Sequence, residues 1–284
     1  MVSELRENIP TFGDSSAENQ EVGLSNMSAM TSTSLVSNGK EAVILLLIAA
    51  AVIGGLELVV RLFNVPAYTF PAPSEIGESL WRNFRPLYLH HLLVTLKVLI
   101  LGYAIGATLG ILLAAVITQF PFAEKVVTPY ILLLVTTPMI ALVPLLVQKM
   151  GFGIQPRVIA VALASGPMVM INAATGFRRT DLAKLALARS YGASTLQIFT
   201  KVRFPLALPM IIVGLMVGAI FGLLTAVGAE IVGSGEGLGN RLMYYSSRIQ
   251  MANFWSIIII LATLGILIYV IFYLIGKRWA NWQA

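Results

Sequence analysis

The sequence predicts an all-α integral membrane protein with about six transmembrane helices and a structured two-helix loop on the cytoplasmic side. The chain of 284 residues is 57% hydrophobic and only 11% charged, whereas soluble domains carry about a quarter charged residues. Its mean hydropathy is +0.85, and its apolar segments lack the alternation of β-barrel strands. These observations argue against a soluble enzyme.

The net charge of +6 has a simple explanation in such a chain. Cationic loops beside a membrane set its orientation and contact anionic lipid, so we expect membrane lipid and no nucleic acid as a partner. The sequence has no cysteine, which excludes a disulfide scaffold and a cysteine-ligated metal. His90 and His91 cannot form a multi-ligand metal site alone. We therefore expect no metal and no cofactor.

The first 40 residues differ from the rest of the chain. Ser, Thr, Asn and Glu dominate residues 1–40, which predicts a disordered cytoplasmic tail. The acidic start and the long apolar run that follows are unlike a secretory signal peptide. Residues 41–63 are therefore predicted to be a retained first transmembrane helix, and residues 64–284 to form the core of the protein.

A membrane helix needs roughly 20 mostly apolar residues to cross about 30 Å of hydrocarbon. Six segments meet this requirement: 41–63, 92–118, 126–148, 158–176, 206–232 and 254–276. If the N-terminus is cytoplasmic, the inside segments hold eleven Lys and Arg against six outside. The positive-inside rule then places both termini and the segment 177–205 in the cytoplasm.

Two of these spans carry glycine at every fourth position. The glycines are Gly102, Gly106 and Gly110 in the second span and Gly214, Gly218 and Gly222 in the fifth. This spacing lines one helix face and permits close approach of another backbone. We expect ordinary helix packing at these faces, and a sliding or rocking role is compatible with it.

Prolines interrupt the third span, and Gly166-Pro167 interrupts the fourth. Proline frees a carbonyl group and bends a helix, and such backbone is tolerated in lipid where it is buried in protein or lines a cavity. These two spans are our candidates for a translocation path, with structural kinking as the alternative for each of Pro129, Pro138 and Pro144. The candidate path residues are Pro138, Pro144, Gly166, Pro167 and Asn172.

Ionisable residues are rare within the spans. Glu57 and Arg61 stand four apart and can pair, Lys97 can extend to the interface, and Glu230 ends the fifth span. A buried ionisable residue is a functional candidate. However, no series of acids runs through the core, which argues against a proton- or sodium-coupled carrier.

Catalytic motifs are missing from the sequence. It contains no G-x-x-x-x-G-K-[ST], H-E-x-x-H or G-x-S-x-G, so nucleotide hydrolysis by the P-loop route is excluded and we assign no catalytic residue. The glycine-rich stretch 233–239 lacks the lysine of a phosphate loop and follows a membrane span. We interpret it as a flexible turn on the outer side.

The segment 177–205 is the only long polar stretch between spans. It has six Lys or Arg against one acid, Asp181. Strong helix formers between Asp181 and Arg189 predict a first short helix, with the acid at its N-terminal end.

A second short helix is predicted immediately afterwards. Gly192 supplies a break with positive φ, and Ser194 can cap a helix over Thr195–Val202. We expect Pro205 to end that helix. Two such helices would form a rigid knob on the membrane surface that fits a cleft in a soluble partner; a surface helix without a partner is the alternative.

This segment resembles the cytoplasmic loop of bacterial ABC-importer permeases, E-A-A-x3-G-x9-I-x-L-P. Ala186-Leu187-Ala188 is followed after three residues by Gly192 and after nine more by Val202-Arg203-Phe204-Pro205. Gly and Pro fall in register, whereas Ala186 stands where the family has glutamate. We call 177–205 the coupling loop. The residues assigned to ATPase docking are Asp181, Ala186, Leu187, Ala188, Arg189, Gly192, Ala193, Ser194, Val202, Phe204 and Pro205.

Flanking stretches are similar to the sulfonate, taurine and nitrate branch of these permeases. They are Phe70-Pro-Ala-Pro-Ser74, residues 91–102, Ala229-Glu230, Gly237-Leu-Gly239 and Phe254. The resemblance covers roughly residues 66–276.

The resemblance implies a non-catalytic permease subunit of an ATP-binding-cassette importer in the bacterial cytoplasmic (inner) membrane. Two permease chains, expected to form a homodimer, would build the pathway. Each coupling loop would dock on one of two copies of an ATP-binding subunit, and an extracytoplasmic binding protein would deliver the solute.

The cargo expected from this resemblance is a sulfonate-, taurine- or nitrate-like anion. A thiamin-precursor-like or other heteroaromatic compound is the alternative. From other classes, a standalone channel or secondary carrier, or a membrane scaffold, would need no ATP-binding partner.

Overall fold

The computed structural model describes residues 39–180, 182–233 and 235–279, and every regular element in these ranges is helical. The chain divides into two units, residues 1–63 and residues 64–284. In the first unit, helix α1 spans Gly39–Leu62, and Arg61 Nε donates to Glu57 Oε1 at 2.6 Å. This ion pair was predicted from the spacing. The predicted tail, 1–40, lies outside the described residues except at its last two positions, which begin α1.

The second unit contains ten α-helices among its described residues. They are α2 (Pro73–Asn83), α3 (Leu89–Gln119), α4 (Pro121–Thr136), α5 (Met139–Met150), α6 (Gln155–Arg178), α7 (Leu182–Ser190), α8 (Thr195–Ile198), α9 (Phe204–Gly233), α10 (Leu238–Ser247) and α11 (Met251–Trp279). A π-helical turn, Phe84–Tyr88, joins α2 to α3, and a second, Phe199–Arg203, joins α8 to α9.

Within the described part of the chain, five helical runs are long and apolar enough to cross a membrane. They are Val43–Leu62, Pro73–Gln119, Gln155–Arg178, Thr195–Gly233 and Met251–Trp279. The bent pair α4 and α5 provides a sixth if it is counted as one span. The predicted all-α membrane fold with about six spans is therefore confirmed.

The predicted interruption of the third span, 126–148, by proline is confirmed. Helices α4 and α5 meet at an angle of 96°, and Thr137 and Pro138 between them are extended, with ψ of 124° and 105°. A residue before proline is driven out of the α region by the proline ring, so Thr137 ends α4. Pro129 and Pro144 remain inside their helices, so the bend belongs to Pro138.

The core of the second unit is built around α6, which packs most extensively against α3 and α9. A Cβ atom added at Gly102 would lie 2.6 Å from Val161 Cβ, and one at Gly110 would lie 2.5 Å from the carbonyl oxygen of Gly166. These distances are too short for any side chain. The glycines of α3 therefore allow the α6 backbone to approach, as their spacing predicts.

The glycines of α9 also pack against α6, at some of the same residues as the glycines of α3. A Cβ atom at Gly214 would lie 2.7 Å from Asn172 Cβ, and one at Gly218 would lie 2.6 Å from Val169 Cγ2. Because small residues face α6 from both neighbours, three helices pack at close range. This arrangement places the coupling loop, which connects α6 to α9, at one end of the unit.

Candidate functional site

The first half of the coupling loop is helix α7 followed by a tight turn at Gly192. The N–H of Gly192 donates to the Arg189 carbonyl at 2.9 Å, and the N–H of Ala193 donates to Ala188 at 3.1 Å. Gly192 has φ of +76°, a conformation that L-residues with a side chain adopt only at a cost in free energy. The predicted helix and its glycine break are confirmed, while Asp181 lies outside the described residues.

The second half begins with a capping box at Ser194. Its Oγ accepts from the N–H of Gln197 at 3.3 Å, and Gln197 Oε1 accepts from the N–H of Ser194 at 2.8 Å. These reciprocal hydrogen bonds satisfy two backbone donors at the start of α8. The predicted cap at Ser194 is confirmed.

The expectation that Pro205 ends the second helix is wrong. Helix α8 continues through the π-helical turn Phe199–Arg203 into α9, and Pro205 lies in the first turn of α9. The N–H of Phe204 donates to the Phe199 carbonyl, one residue beyond the α-helical partner. Proline is compatible with a first helical turn because its missing donor is not needed there. The coupling loop is thus continuous with a long membrane helix.

Aromatic packing fixes this loop to the membrane helices. The ring of Phe177, which is buried at the end of α6, lies 5.1 Å from Phe199 and 6.3 Å from Phe204. Arg178 also pairs with Glu124 of α4 at 2.8 Å. Phe204, which was assigned to docking, therefore contacts the base of the loop, and Val202 and Pro205 are half-buried beside it.

The outer face of the loop carries exposed apolar side chains beside exposed cations. Leu187 is 58% exposed and Tyr191 is 83% exposed, whereas Leu185 on the opposite side of α7 is buried. Ala186 and Ser194 are also exposed. Exposed apolar groups on a cationic, rigid knob are typical of a surface that binds another protein.

The candidate path residues lie in two different environments. Pro138 lines a cavity of about 310 Å³ at the bend between α4 and α5. Pro144 is exposed on α5, and Gly166 and Pro167 are buried inside α6. Asn172 donates from Nδ2 to the Met168 carbonyl at 2.8 Å. Of the five, only Pro138 lines this cavity.

The cavity at the bend is bounded by three elements. Its walls are residues 134–140, then Ala164 and Met168 of α6, then Phe221, Leu224 and Thr225 of α9. No charged side chain belongs to this described lining. The hydroxyls of Thr136 and Thr137 donate to the carbonyls of Leu132 and Leu133, so their remaining lone pairs are acceptors.

At the other end of α9, a buried polar network was not predicted. Glu230 is fully buried, and its Oε2 accepts from Thr95 Oγ1 at 2.9 Å and from the Gly239 N–H at 3.0 Å. Thr95 Oγ1 in turn accepts from the Leu238 N–H at 2.9 Å. The sequence placed Glu230 at the end of the fifth span, near an interface, and could not indicate its burial or its partners.

The same network overturns the prediction that 233–239 is a flexible turn. The N–H of Gly237 donates to His91 Nδ1 at 3.1 Å, and Arg241 Nε lies 2.7 Å from His91 Nε2. Three successive backbone donors, from Gly237 to Gly239, are thus bound by side chains of α3 and α9. Within this stretch, residues 237–239 therefore form a fixed start for α10.

Two of the flanking motifs also meet at this end. The ring of Phe70 lies 5.2 Å from the ring of Trp255, which follows Phe254 in α11. The Asn253 Oδ1 accepts from Ser79 at 2.7 Å and from Tyr88 at 2.9 Å. These contacts hold α2 and the first π-helical turn against α11.

Comparison with known proteins identifies the family. Residues 106–281 match the family described as the binding-protein-dependent transport system inner membrane component. The chain belongs to this family. It is an ABC-importer permease subunit, and it is a multi-pass membrane protein.

Relatives of the permease carry several different names. A protein of Haemophilus influenzae named as an ABC transporter permease is 30% identical over 75% of this chain and 86% of its own. The formylaminopyrimidine transport permease ThiX of Halalkalibacterium halodurans is 30% identical over 74% of this chain and 84% of its own. SsuC of Bacillus subtilis, whose name refers to aliphatic sulfonates transport, is 28% identical over 84% of this chain and 87% of its own.

Solved structures agree on the fold of the permease. An amino acid ABC transporter superimposes with a TM-score of 0.57 at 21% identity, covering 69% of this chain and 95% of that one. The inward-facing MetNI methionine transporter superimposes with a TM-score of 0.54 at 18% identity, covering 74% of this chain and 98% of that one.

Proposed function

We propose that this permease, as a homodimer in the bacterial inner membrane, imports a small organic solute by using ATP hydrolysed on a separate subunit. Two copies of that subunit dock on the exposed apolar face of the coupling loop, and an extracytoplasmic protein delivers the solute. The observation that carries this proposal is the continuity of the loop with α9: a single helical run extends from Thr195 to Gly233.

The sidedness of the proposal follows from charge. The coupling loop holds six of the Lys and Arg residues, which favours the cytoplasm by the positive-inside rule. The network at Glu230 lies at the opposite end of α9 and therefore faces outward. Both termini are then cytoplasmic.

The mechanism is mechanical coupling without acid–base chemistry in this chain. The 39-residue run from Thr195 to Gly233 is about 60 Å long at the rise of an α-helix. A displacement of the knob is therefore transmitted to α9 and, through the close contacts of Gly214 and Gly218, to α6. ATP binding can shift the pathway between its two states only by the difference in binding energy between them.

For the cargo, two solute classes are candidates. The sequence favours a sulfonate-, taurine- or nitrate-like anion, and SsuC is a relative with a name of that kind. The cavity at Pro138 favours the heteroaromatic alternative, because its lining is apolar and its threonine hydroxyls present acceptors to N–H donors. ThiX is a relative whose name refers to a solute of that class.

Uptake into vesicles that contain the complete complex tests both parts of this proposal. We expect ATP-dependent uptake, and we expect a labelled formylaminopyrimidine to be taken up in preference to a labelled alkanesulfonate. Uptake of either solute without ATP would instead indicate a channel or secondary carrier. A preference for the sulfonate would contradict the heteroaromatic assignment and leave the importer function intact.

The variant Gly192→Val tests the coupling loop in the same assay. Valine at φ of +76° carries about 1–3 kcal/mol of backbone strain, so we expect ATP-driven uptake to fall roughly tenfold while membrane insertion is unchanged. The matched control is Gly192→Asn, because asparagine tolerates this conformation. Normal uptake by the valine variant would count against the docking role.

A further inference from the structure

A groove and a small polar cavity adjoin each other beside the coupling loop, at the end of two membrane spans. The groove has a volume of about 400 Å³, and its lining is almost entirely apolar. Its walls are Ala115, Val116 and Phe120 at the end of α3, and Leu196 and Phe199 beyond Gly192. Val116 is 45% exposed and Leu196 is 71% exposed, so the groove opens to the surroundings.

The polar cavity shares a wall with this groove. Gln119, Thr195 and Phe199 belong to both, and the cavity adds Arg189 and Arg203. Its volume is about 40 Å³, enough for one oxygen-sized group. The two features therefore form one continuous depression with an apolar part and a cationic end.

Unsatisfied donors line the cationic end. Arg203 Nε and Gln119 Nε2 are both buried atoms that have no hydrogen-bond partner among the described residues. A buried donor without an acceptor is destabilising by about 1–3 kcal/mol. No acidic residue belongs to the described lining of either feature. The two donors are therefore open to an acceptor from a bound ligand, and the charges of Arg189 and Arg203 favour an anionic oxygen.

We propose that this depression binds one anionic phospholipid, with a phosphate oxygen on Arg203 and Gln119 and an acyl chain in the groove. Three observations select a lipid. Gln119 is the last residue of the apolar run Pro73–Gln119 and Arg203 precedes α9, which places the cavity at the membrane boundary. The groove is apolar as an acyl chain requires, and the headgroup end is cationic.

This site has a consequence for the coupling loop. Thr195 and Leu196 belong to α8, and Arg189 belongs to α7. A lipid bound here contacts both short helices on either side of Gly192. The bound lipid therefore stabilises the arrangement of the two helices from the membrane side, independently of the partner that covers their exposed face.

Photo-cross-linking in the assembled transporter tests the proposal. A benzophenone side chain at Val116, in vesicles of equal amounts of phosphatidylglycerol and phosphatidylcholine, is expected to label phosphatidylglycerol at least about fivefold more often. The matched control is Leu112, one turn earlier on α3 and 57% exposed, which lies outside the groove and should show no headgroup preference. This comparison requires no change in either arginine.

Substitution of Arg203 provides a second test. Arg203→Gln should reduce the preference at Val116 to that at Leu112, whereas Lys201→Gln, which removes an exposed charge from the same π-helical turn, should preserve it. Equal labelling of both lipids at Val116 in the unmodified loop would overturn the proposal. Labelling of the ATP-binding subunit in place of lipid would also overturn it, because a protein would then occupy the groove.

Discussion

At the scale of single residues, Glu230 has the most unusual environment in the described structure. A carboxylate buried at the end of a membrane helix is usually interpreted as part of a transport pathway. Here its Oε2 accepts two hydrogen bonds, from Thr95 and Gly239. Its contacts connect α3, α9 and the start of α10, so we assign it a structural role at the end of α9 opposite the coupling loop.

Replacement of Glu230 by alanine tests this role. Glu230→Ala would leave the Gly239 N–H buried without an acceptor and limit the Thr95 hydroxyl to its bond with the His91 carbonyl, so we expect it to destabilise the protein by about 1–3 kcal/mol. The thermal unfolding midpoint of the purified complex should therefore fall. The control is Glu236→Ala in the same stretch, where the carboxylate is exposed. Equal midpoints for the two variants would contradict the assigned role.

The sequence could predict the local structure at some of these residues but not the distant partners of others. Gly192 and Ser194 were predicted correctly because a positive φ and a capping box depend on neighbours within a few positions. The partners of Glu230 could not be predicted in this way, since Thr95 is 135 positions away. Only the packing of α3 against α9 brings the two together.

At the scale of helices, the contact between α3 and α6 depends on glycine. A Cβ atom at Gly106 would meet Ser165 Oγ, and it would lie 2.6 Å from the Ala162 carbonyl oxygen. At Gly106, glycine therefore faces a buried serine and a backbone carbonyl of α6 at close range.

Gly106→Ala should separate these helices. We expect it to destabilise the purified protein by about 1–3 kcal/mol through overpacking, measured as a lower unfolding midpoint in detergent. Gly54→Ala in α1 makes the same change where nothing lies within 4 Å of the added atom, so it should be neutral or slightly stabilising. A Gly106→Ala protein as stable as the Gly54→Ala protein would show that the close approach is not required.

Helix positions were predictable because span length and apolar composition follow directly from the thickness of the membrane. Which of the three prolines bends the third span was not predictable. Pro129 and Pro144 look the same as Pro138 in the local sequence, and yet they remain inside helices. The continuation of the helix through Pro205 was not predicted for a related reason. A π-helical turn rearranges the backbone hydrogen bonds before this proline, and that adjustment has no distinctive sequence pattern.

At the scale of the whole second unit, α9 connects two ends with different chemistry. One end carries the coupling loop, with exposed Leu187 and Tyr191, and the other is closed by the network around Glu230. Ala186 stands where the resemblance expects glutamate, so the exposed face of the loop is apolar and cationic. The proposed docking would therefore depend on shape and packing more than on an acidic contact at this position.

Cross-linking from the coupling loop tests the central claim that the ATP-binding subunit docks there. A photo-reactive side chain at Tyr191, 83% exposed, should label that subunit in the assembled complex, with a yield that changes when ATP is added. The same side chain at Tyr130, 65% exposed on α4, should label lipid and not the ATP-binding subunit. A complex that transports in response to ATP but gives no cross-link from Tyr191 would contradict the account.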